Sequence, residues 1–220
     1  MIDDGILLID KPAGMTSFGV VARVRRVLTQ HYGKKVKVGH TGTLDPFATG
    51  LMIIVVGKEC KNAGMYSKLD KVYEATIHLG QTSTTGDPEG EIIDVSDGVP
   101  TLEEVSEALA SFTGEITQRP PIYSAIKIGG ERAYKLARAG QVVDMPERQV
   151  TVHSLKLIDY TYPNITIRTH VSSGTYIRTL AEDIGATLGT GAYCTQLRRV
   201  SIADWTIDTA VSLANLGVTD

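Results

Sequence analysis

Gly39-His40-Thr41-Gly42-Thr43-Leu44-Asp45-Pro46-Phe47-Ala48-Thr49-Gly50 separates a short basic run, Lys35-Val36-Lys37-Val38, from an apolar one, Leu51-Met52-Ile53-Ile54-Val55-Val56. Glycines and a proline this close together punctuate regular structure, so the sequence predicts a loop flanked by strands. Asp45 lies in the middle of it. Pro46 biases Asp45 away from the right-handed helical region, which puts the carboxylate on a stiffened bend rather than a helix face. Asp-Pro is also a common turn starter, so a plain connection is the alternative reading of this loop alone.

The chain from Lys11 to Leu44 carries seven Lys or Arg and no Asp or Glu. Asp45 is therefore the first acid after a long basic stretch. Arg23, Arg25, Arg26, Lys34, Lys35 and Lys37 form a candidate nucleic-acid patch, because such a face needs only local positive charge. The overall net charge of -3 hides this, since acids gather in 87–107. The 220 residues suit one sizeable domain of ordinary soluble composition. Cys60 and Cys194 belong to no CxxC or Cys/His pattern and read as reduced, structural thiols. Leu51 to Val56 is the longest aliphatic run, far too short to cross a bilayer. The acidic N-terminus has no leader character, and a cytoplasmic protein that does not engage membranes is expected.

Gly5 to Asp10 reads as a buried strand, followed by a Lys11-Pro12-Ala13-Gly14 turn. Ser17 is placed as N-cap of a helix to about Tyr32, with Val20, Val24, Val27 and Leu28 on one face and Gly33 as its stop. Lys71 to Leu79 and Ile92 to Val95 read as strands. Thr101 with Glu104 forms a capping box for a helix through Phe112. Asp87, in Gly86-Asp87-Pro88-Glu89-Gly90, is assigned to a turn. Gln149 to Tyr160 and Asn164 to Val171 alternate as paired strands. The run from Ser173 to Leu180 leads into a helix ending near Gly189, with Arg178 early in it; by itself Arg178 reads as a surface residue. A small helix is expected at about 210–216. No P-loop is present: Gly57-Lys58 is followed by Glu59, where Ser or Thr would bind magnesium. Neither a dinucleotide fingerprint nor a dense metal-ligand cluster appears, so no cofactor and no metal are expected.

Several ordered blocks resemble the TruB-type tRNA pseudouridine synthases over about residues 5–200. The loop around Asp45 is similar to that family's catalytic motif, and Gly5-Ile6-Leu7-Leu8-Ile9-Asp10-Lys11-Pro12-Ala13-Gly14-Met15-Thr16-Ser17 to its first motif. Pro120-Pro121-Ile122-Tyr123-Ser124-Ala125-Ile126-Lys127, Gly174-Thr175-Tyr176-Ile177-Arg178 and Leu197-Arg198-Arg199 are similar to later ones. One departure is Val171-Ser172-Ser173, where the family usually has Cys-Ser-Lys; the missing lysine implies a weaker phosphate contact. Family members also usually continue into a small RNA-binding C-terminal domain. This chain carries only a short stretch after Trp205.

The resemblance implies an α+β pseudouridine synthase fold: a mixed, largely antiparallel sheet flanked by helices, with a central RNA-binding cleft. The catalytic domain is expected over 1–205, with an RNA-gripping insertion at about 118–146 and a C-terminal tail at 206–220. The implied reaction is isomerisation of uridine at position 55 in the T loop of tRNA. Asp45 is the implied catalytic residue and Arg178 its partner. Tyr73 is expected as a further catalytic residue, stacking on the flipped uracil with a hydroxyl able to assist proton removal, although on sequence alone it is an ordinary strand aromatic. His40 is expected as a wedge against the RNA, Tyr176 and Leu197 as pocket lining, and Lys127 among the basic residues that neutralise phosphates. The implied partner is the tRNA T arm, with no protein partner required and a monomer expected. The alternative is a non-catalytic RNA-binding or tRNA-folding module on the same scaffold; a related enzyme working inside a guide-RNA complex is a third possibility.

Overall fold

The computed structural model of the chain describes residues 2–217. In chain order the first elements are β1 (Gly5–Lys11), α1 (Ser17–Tyr32), β2 (Val38–His40), β3 (Thr49–Val56), α2 (Ala63–Ser67) and β4 (Lys71–Leu79). Next come β5 (Gln81–Ser83), β6 (Ile92–Asp94), α3 (Leu102–Ser111), β7 (Gly114–Gln118), β8 (Lys127–Ile128), β9 (Glu131–Arg132) and α4 (Ala133–Arg138). The last are β10 (Arg148–Thr161), β11 (Asn164–Val171), α5 (Ile177–Thr187), β12 (Ala192–Ile202), β13 (Trp205–Thr206) and β14 (Val211–Ser212). Residues 2–73 with 198–217 make one compact unit and 74–197 a second. The elements are α+β, and the sheet is mixed.

In the first unit the strand order is β14-β1-β3-β12, with β2 beside β3 and β13 beside β12. β1 runs antiparallel to β3 from Gly5↔Val56 to Lys11↔Gly50. β14 joins β1 in parallel at Ile9↔Val211, and β12 joins β3 in parallel at Arg198↔Thr49. The unbroken apolar run of β3 has a physical reason. Leu51, Ile53 and Val55 pack on one side with Ile202, Ile6, Leu8 and Trp205, while Met52, Ile54 and Val56 are buried on the other. Each such side chain contributes roughly 1.5–3 kcal/mol by leaving water.

α1 buries Val20, Val21, Val24 and Leu28 and stops at Gly33, whose left-handed φ of 63° suits glycine. Its N-cap is Thr16, not Ser17: the Thr16 hydroxyl accepts from Gly19 N at 3.0 Å. Ser17 is buried and bonded elsewhere. The helix expected near 210–216 is instead two short 3₁₀ turns, Ile207–Thr209 and Ala214–Leu216, on either side of β14.

In the second unit the order is β12-β4-β11-β10-β7. β10 and β11 form an antiparallel hairpin closing at Thr161↔Asn164. Ala75, Ile77 and Leu79 of β4, Ile165 and Ile167 of β11, and Leu180, Ala181 and Ile184 of α5 are buried. The capping box of α3 forms as expected, with Glu104 N donating to Thr101 Oγ1 at 3.2 Å and Thr101 N to Glu104 Oε2 at 2.6 Å. No helix among the described residues is long and apolar enough to cross a membrane.

Candidate active site

The Asp45 loop leaves β2 at His40 and enters β3 at Thr49, and the first unit fixes it at three levels. At its base, Thr41 N donates to Ile53 O at 3.2 Å. The guanidinium of Arg199, buried in β12, donates from Nε to Leu51 O at 2.7 Å and from Nη2 to Gly42 O at 3.2 Å, tying both ends of the loop together. Gly50 has φ 107°, and a Cβ there would lie 2.3 Å from Arg199 O. Only glycine permits that approach.

Just before Asp45, Ser17 Oγ donates to Leu44 O at 2.9 Å and accepts from Leu44 N at 2.8 Å. Just after it, Lys11 Nζ donates to Pro46 O at 3.2 Å, and also to Pro12 O at 2.8 Å and Met15 O at 2.7 Å. Gly14 N adds a second bond to Pro46 O at 2.8 Å. Lys11 is 0% exposed, and its three carbonyl acceptors are what make a buried ammonium tolerable. Asp45 itself is half-buried, with Ala48 N donating to its carbonyl at 3.2 Å. The carboxylate therefore sits on a segment whose neighbours on either side are immobilised by buried groups.

His40 ends β2 opposite Ile54, at the entrance to the same loop. Tyr73 lies buried on β4. Two residues earlier, Lys71 Nζ donates to Ser67 O at 2.8 Å and to Leu69 O. Burial, and then the charge of Arg199, push the Lys71 ammonium down to about 8.

In the second unit Arg178 is the second residue of α5, and its side chain is only 3% exposed, unlike the surface arginine that its sequence context favours. Nη1 donates to Thr85 O at 2.6 Å and lies 3.2 Å from Asp87 Oδ2; Nη2 donates to Tyr123 O at 2.9 Å. Asp87 does turn duty as well: its Oδ1 accepts from Thr85 Oγ1 at 2.6 Å and from Glu89 N at 3.0 Å. Asp87 is thus a turn residue and, with the same carboxylate, a counter-charge of Arg178. Glu182, one helical turn after Arg178, lies against Gly86. Burial pushes its carboxyl up to about 7, with Arg178 opposing and Asp183 and Asp87 reinforcing the rise.

Tyr176, just ahead of α5, is held through its backbone by the buried amide of Gln118. Nε2 donates to Tyr176 O at 3.2 Å, and Oε1 accepts from Tyr176 N at 3.0 Å. Leu197 is buried in β12, and Lys127 is exposed on β8, in the short hairpin with β9. His40, Asp45 and Tyr73 thus belong to the first unit, and Lys127, Tyr176, Arg178 and Leu197 to the second. The sequence reading passed over Arg199, Lys11 and Ser17, which hold the loop, and over Asp87 and Gln118, which hold Arg178 and Tyr176. Lys11 and Ser17 do fall inside the opening motif, where they read only as a turn and a cap.

A family model described as the TruB family pseudouridylate synthase N-terminal domain matches residues 25–177, well over half of the chain. The chain belongs to the TruB family. A second model, described as the tRNA pseudouridylate synthase B C-terminal domain, matches residues 178–218. That match begins at Arg178, so the family's C-terminal model takes in α5, β12 and the stretch read from sequence as a tail. Among curated relatives, tRNA pseudouridine synthase B of Burkholderia mallei is 47% identical over 210 residues, covering 96% of this chain and 68% of the relative. The Cupriavidus taiwanensis protein of the same name is 45% identical over 219 residues, covering 98% and 68%. Among solved structures, Cbf5 in a Cbf5-Nop10-Gar1 complex superposes with a TM-score of 0.75 at 28% identity. It covers 96% of this chain, which spans about half of that one (53%). An H/ACA RNP bound to a substrate RNA containing 2'-deoxyuridine gives a TM-score of 0.72 at 26% identity, covering 97% and 52%. These relatives make the α+β architecture that of the pseudouridine synthases.

Proposed function

We propose that this chain isomerises uridine to pseudouridine at position 55 in the T loop of tRNA, with Asp45 as the catalytic carboxylate. That it is a tRNA pseudouridine synthase follows from the family. The observation that supports Asp45 is its preorganisation: buried donors of Lys11 and Ser17 grip the residues on both sides of it. Holding a reacting group in place lowers the barrier without any motion at the moment of reaction.

The reaction breaks the bond from N1 of uracil to C1' of ribose and forms one from C5 to C1'. The C5 proton leaves and N1 gains one, so no group is added overall and the chemistry needs no external reactant. A base inside a folded loop must first be extruded. Tyr73 then stacks on it, a contact worth about 1–3 kcal/mol. Arg178 is assigned as the partner of Asp45, where a guanidinium fixes a carboxylate's direction and keeps it ionised. Lysine lacks that planar fork. His40 fills the space that the base vacates, Tyr176 and Leu197 line the pocket, and Lys127 takes a phosphate. The protein works in the cytoplasm as a monomer without protein partners; light scattering of the purified protein with and without tRNA tests the oligomeric part.

Tritium release from a T-arm hairpin carrying uridine labelled at C5, with wild type and Asp45→Asn in parallel, tests the main reading. Release by wild type alone is expected. Tight binding of the hairpin by both proteins, with release by neither, overturns it in favour of an RNA-binding module.

A further inference from the structure

Arg148, the first residue of β10, is a cation for which the described residues supply no counter-charge. Its guanidinium carbon stands 4.8 Å from the centroid of the Tyr176 ring. Nη1 lies along Gly174, where a Cβ would come within 3.0 Å of it. Nε and Nη2 are shielded from solvent and meet no hydrogen-bond acceptor among the described residues. The adjacent acid, Glu147, is engaged instead with Arg119 at 3.0 Å. Ser173, beside Gly174, brings no charge of its own.

Such an arrangement is costly in the free protein. Donors buried without acceptors forfeit their hydration, and an arginine face stacked on an aromatic ring gains only part of it back. Yet the fold maintains it with some care. Gly174 leaves the room that the guanidinium occupies, and Gln118 fixes the backbone of the tyrosine on which it rests. A planar guanidinium with one face on a ring still carries its donors along the edge, and that edge matches two oxygens of a phosphate that reaches it. We propose that Arg148 is an RNA-binding residue that takes a backbone phosphodiester of the substrate at the Tyr176 end of α5. The proposal rests on the tRNA reading above, and it adds a phosphate subsite held by β10 and the turn before α5.

The test is the affinity of a fluorescent T-arm hairpin for wild type, Arg148→Gln and Arg148→Lys over a series of salt concentrations, with tritium release measured separately. Losing one phosphate contact is expected to weaken binding by about tenfold or more and to flatten the slope of log K against log salt by about one. The loss in affinity should exceed any loss in single-turnover rate at saturating RNA. Arg148→Lys keeps the charge, so its slope should match wild type while its affinity falls between the other two. If Arg148→Gln binds with the wild-type affinity and slope, the proposal is overturned. It is overturned equally if the loss falls on the saturated rate instead, because Arg148 would then serve only to steady Tyr176. Should the glutamine variant fail to fold, a lysine variant whose slope drops by one also defeats it. A wild type that binds the hairpin but releases no tritium defeats the catalytic reading, and the binding series still decides the role of Arg148.

Discussion

Ser17 and Leu44 stand 27 residues apart in sequence, yet the serine hydroxyl both donates to and accepts from the leucine peptide, at 2.9 and 2.8 Å. The serine thus holds the peptide that leads directly into Asp45. Ser17→Ala leaves a buried carbonyl and a buried N–H of Leu44 without partners, a penalty of about 1–3 kcal/mol. The midpoint of urea unfolding should fall accordingly. Misplacing a catalytic carboxylate by even part of an ångström slows chemistry, so the single-turnover rate should drop by about tenfold or more. Hairpin affinity should change far less. An alanine variant with the wild-type rate would show that Asp45 does not depend on this clamp.

The rear of the same loop makes a sharper prediction. Gly50→Ala forces a side chain into a left-handed backbone at φ 107°, with its Cβ 2.3 Å from the Arg199 carbonyl. Pairing of β3 with β12 must give way at Gly50↔Arg199. A destabilisation of about 3 kcal/mol or more is expected, within the class of severe backbone effects. Thermal melting of the purified variant checks it, and a melting temperature within a degree or two of wild type would refute it.

Asp87 and Arg178 form an ion pair with both side chains almost wholly shielded. Removing one member of such a pair strands the other, at a cost of about 3–5 kcal/mol. Asp87→Asn should therefore lose stability of that order, although the amide still offers an oxygen to Thr85 and Glu89. Turnover should fall as well if Arg178 serves the reaction as proposed. Unfolding by urea and tritium release, measured on the same preparation, check the two effects. An asparagine variant equal to wild type in both would show that Arg178 does not depend on Asp87.

The contrast between Ser17 and β4 shows what the sequence could tell. β4 and β11 match their expected spans end to end, because alternating burial is a local pattern with a period of two. The capping box of α3 was equally legible, since both partners lie within four residues. The Asp45 loop could be seen as a loop, and the family resemblance implied the role proposed for Asp45. What stayed hidden depends on partners distant in the chain. Ser17 looks like a cap until Leu44 is brought to it. Arg178 looks like a surface residue until Thr85, Asp87 and Tyr123 surround it. Arg199 is one basic residue in a strand until its guanidinium meets Gly42 and Leu51. Periodicity carries no trace of such contacts. The error at 210–216 is of another kind: the segment is too short for helical propensity to outweigh the pairing of β14 with β1.

Glu182 gives the site a dependence on pH whose sign is fixed by the direction of its shift. Burial raises its carboxyl to about 7 in the folded chain, against an ordinary value of 4.5. Below 4.5 the group is protonated whether the chain is folded or not, and its contribution to stability is fully present. Between 4.5 and 7 the unfolded chain releases this proton while the folded chain keeps it, so stability falls as pH rises. Above 7 the contribution has gone, and an ionised carboxylate sits beside Asp87 and Asp183, partly offset by Arg178. Glu182→Gln removes the titration and keeps the shape. The glutamine variant should therefore gain on wild type from pH 5 to about pH 7 and then level off by pH 8, ending on the order of 1–2 kcal/mol ahead once partial solvent screening is allowed for. Urea midpoints at four pH values in that range measure the difference. A constant gap between the two proteins would mean that Glu182 does not titrate in this window.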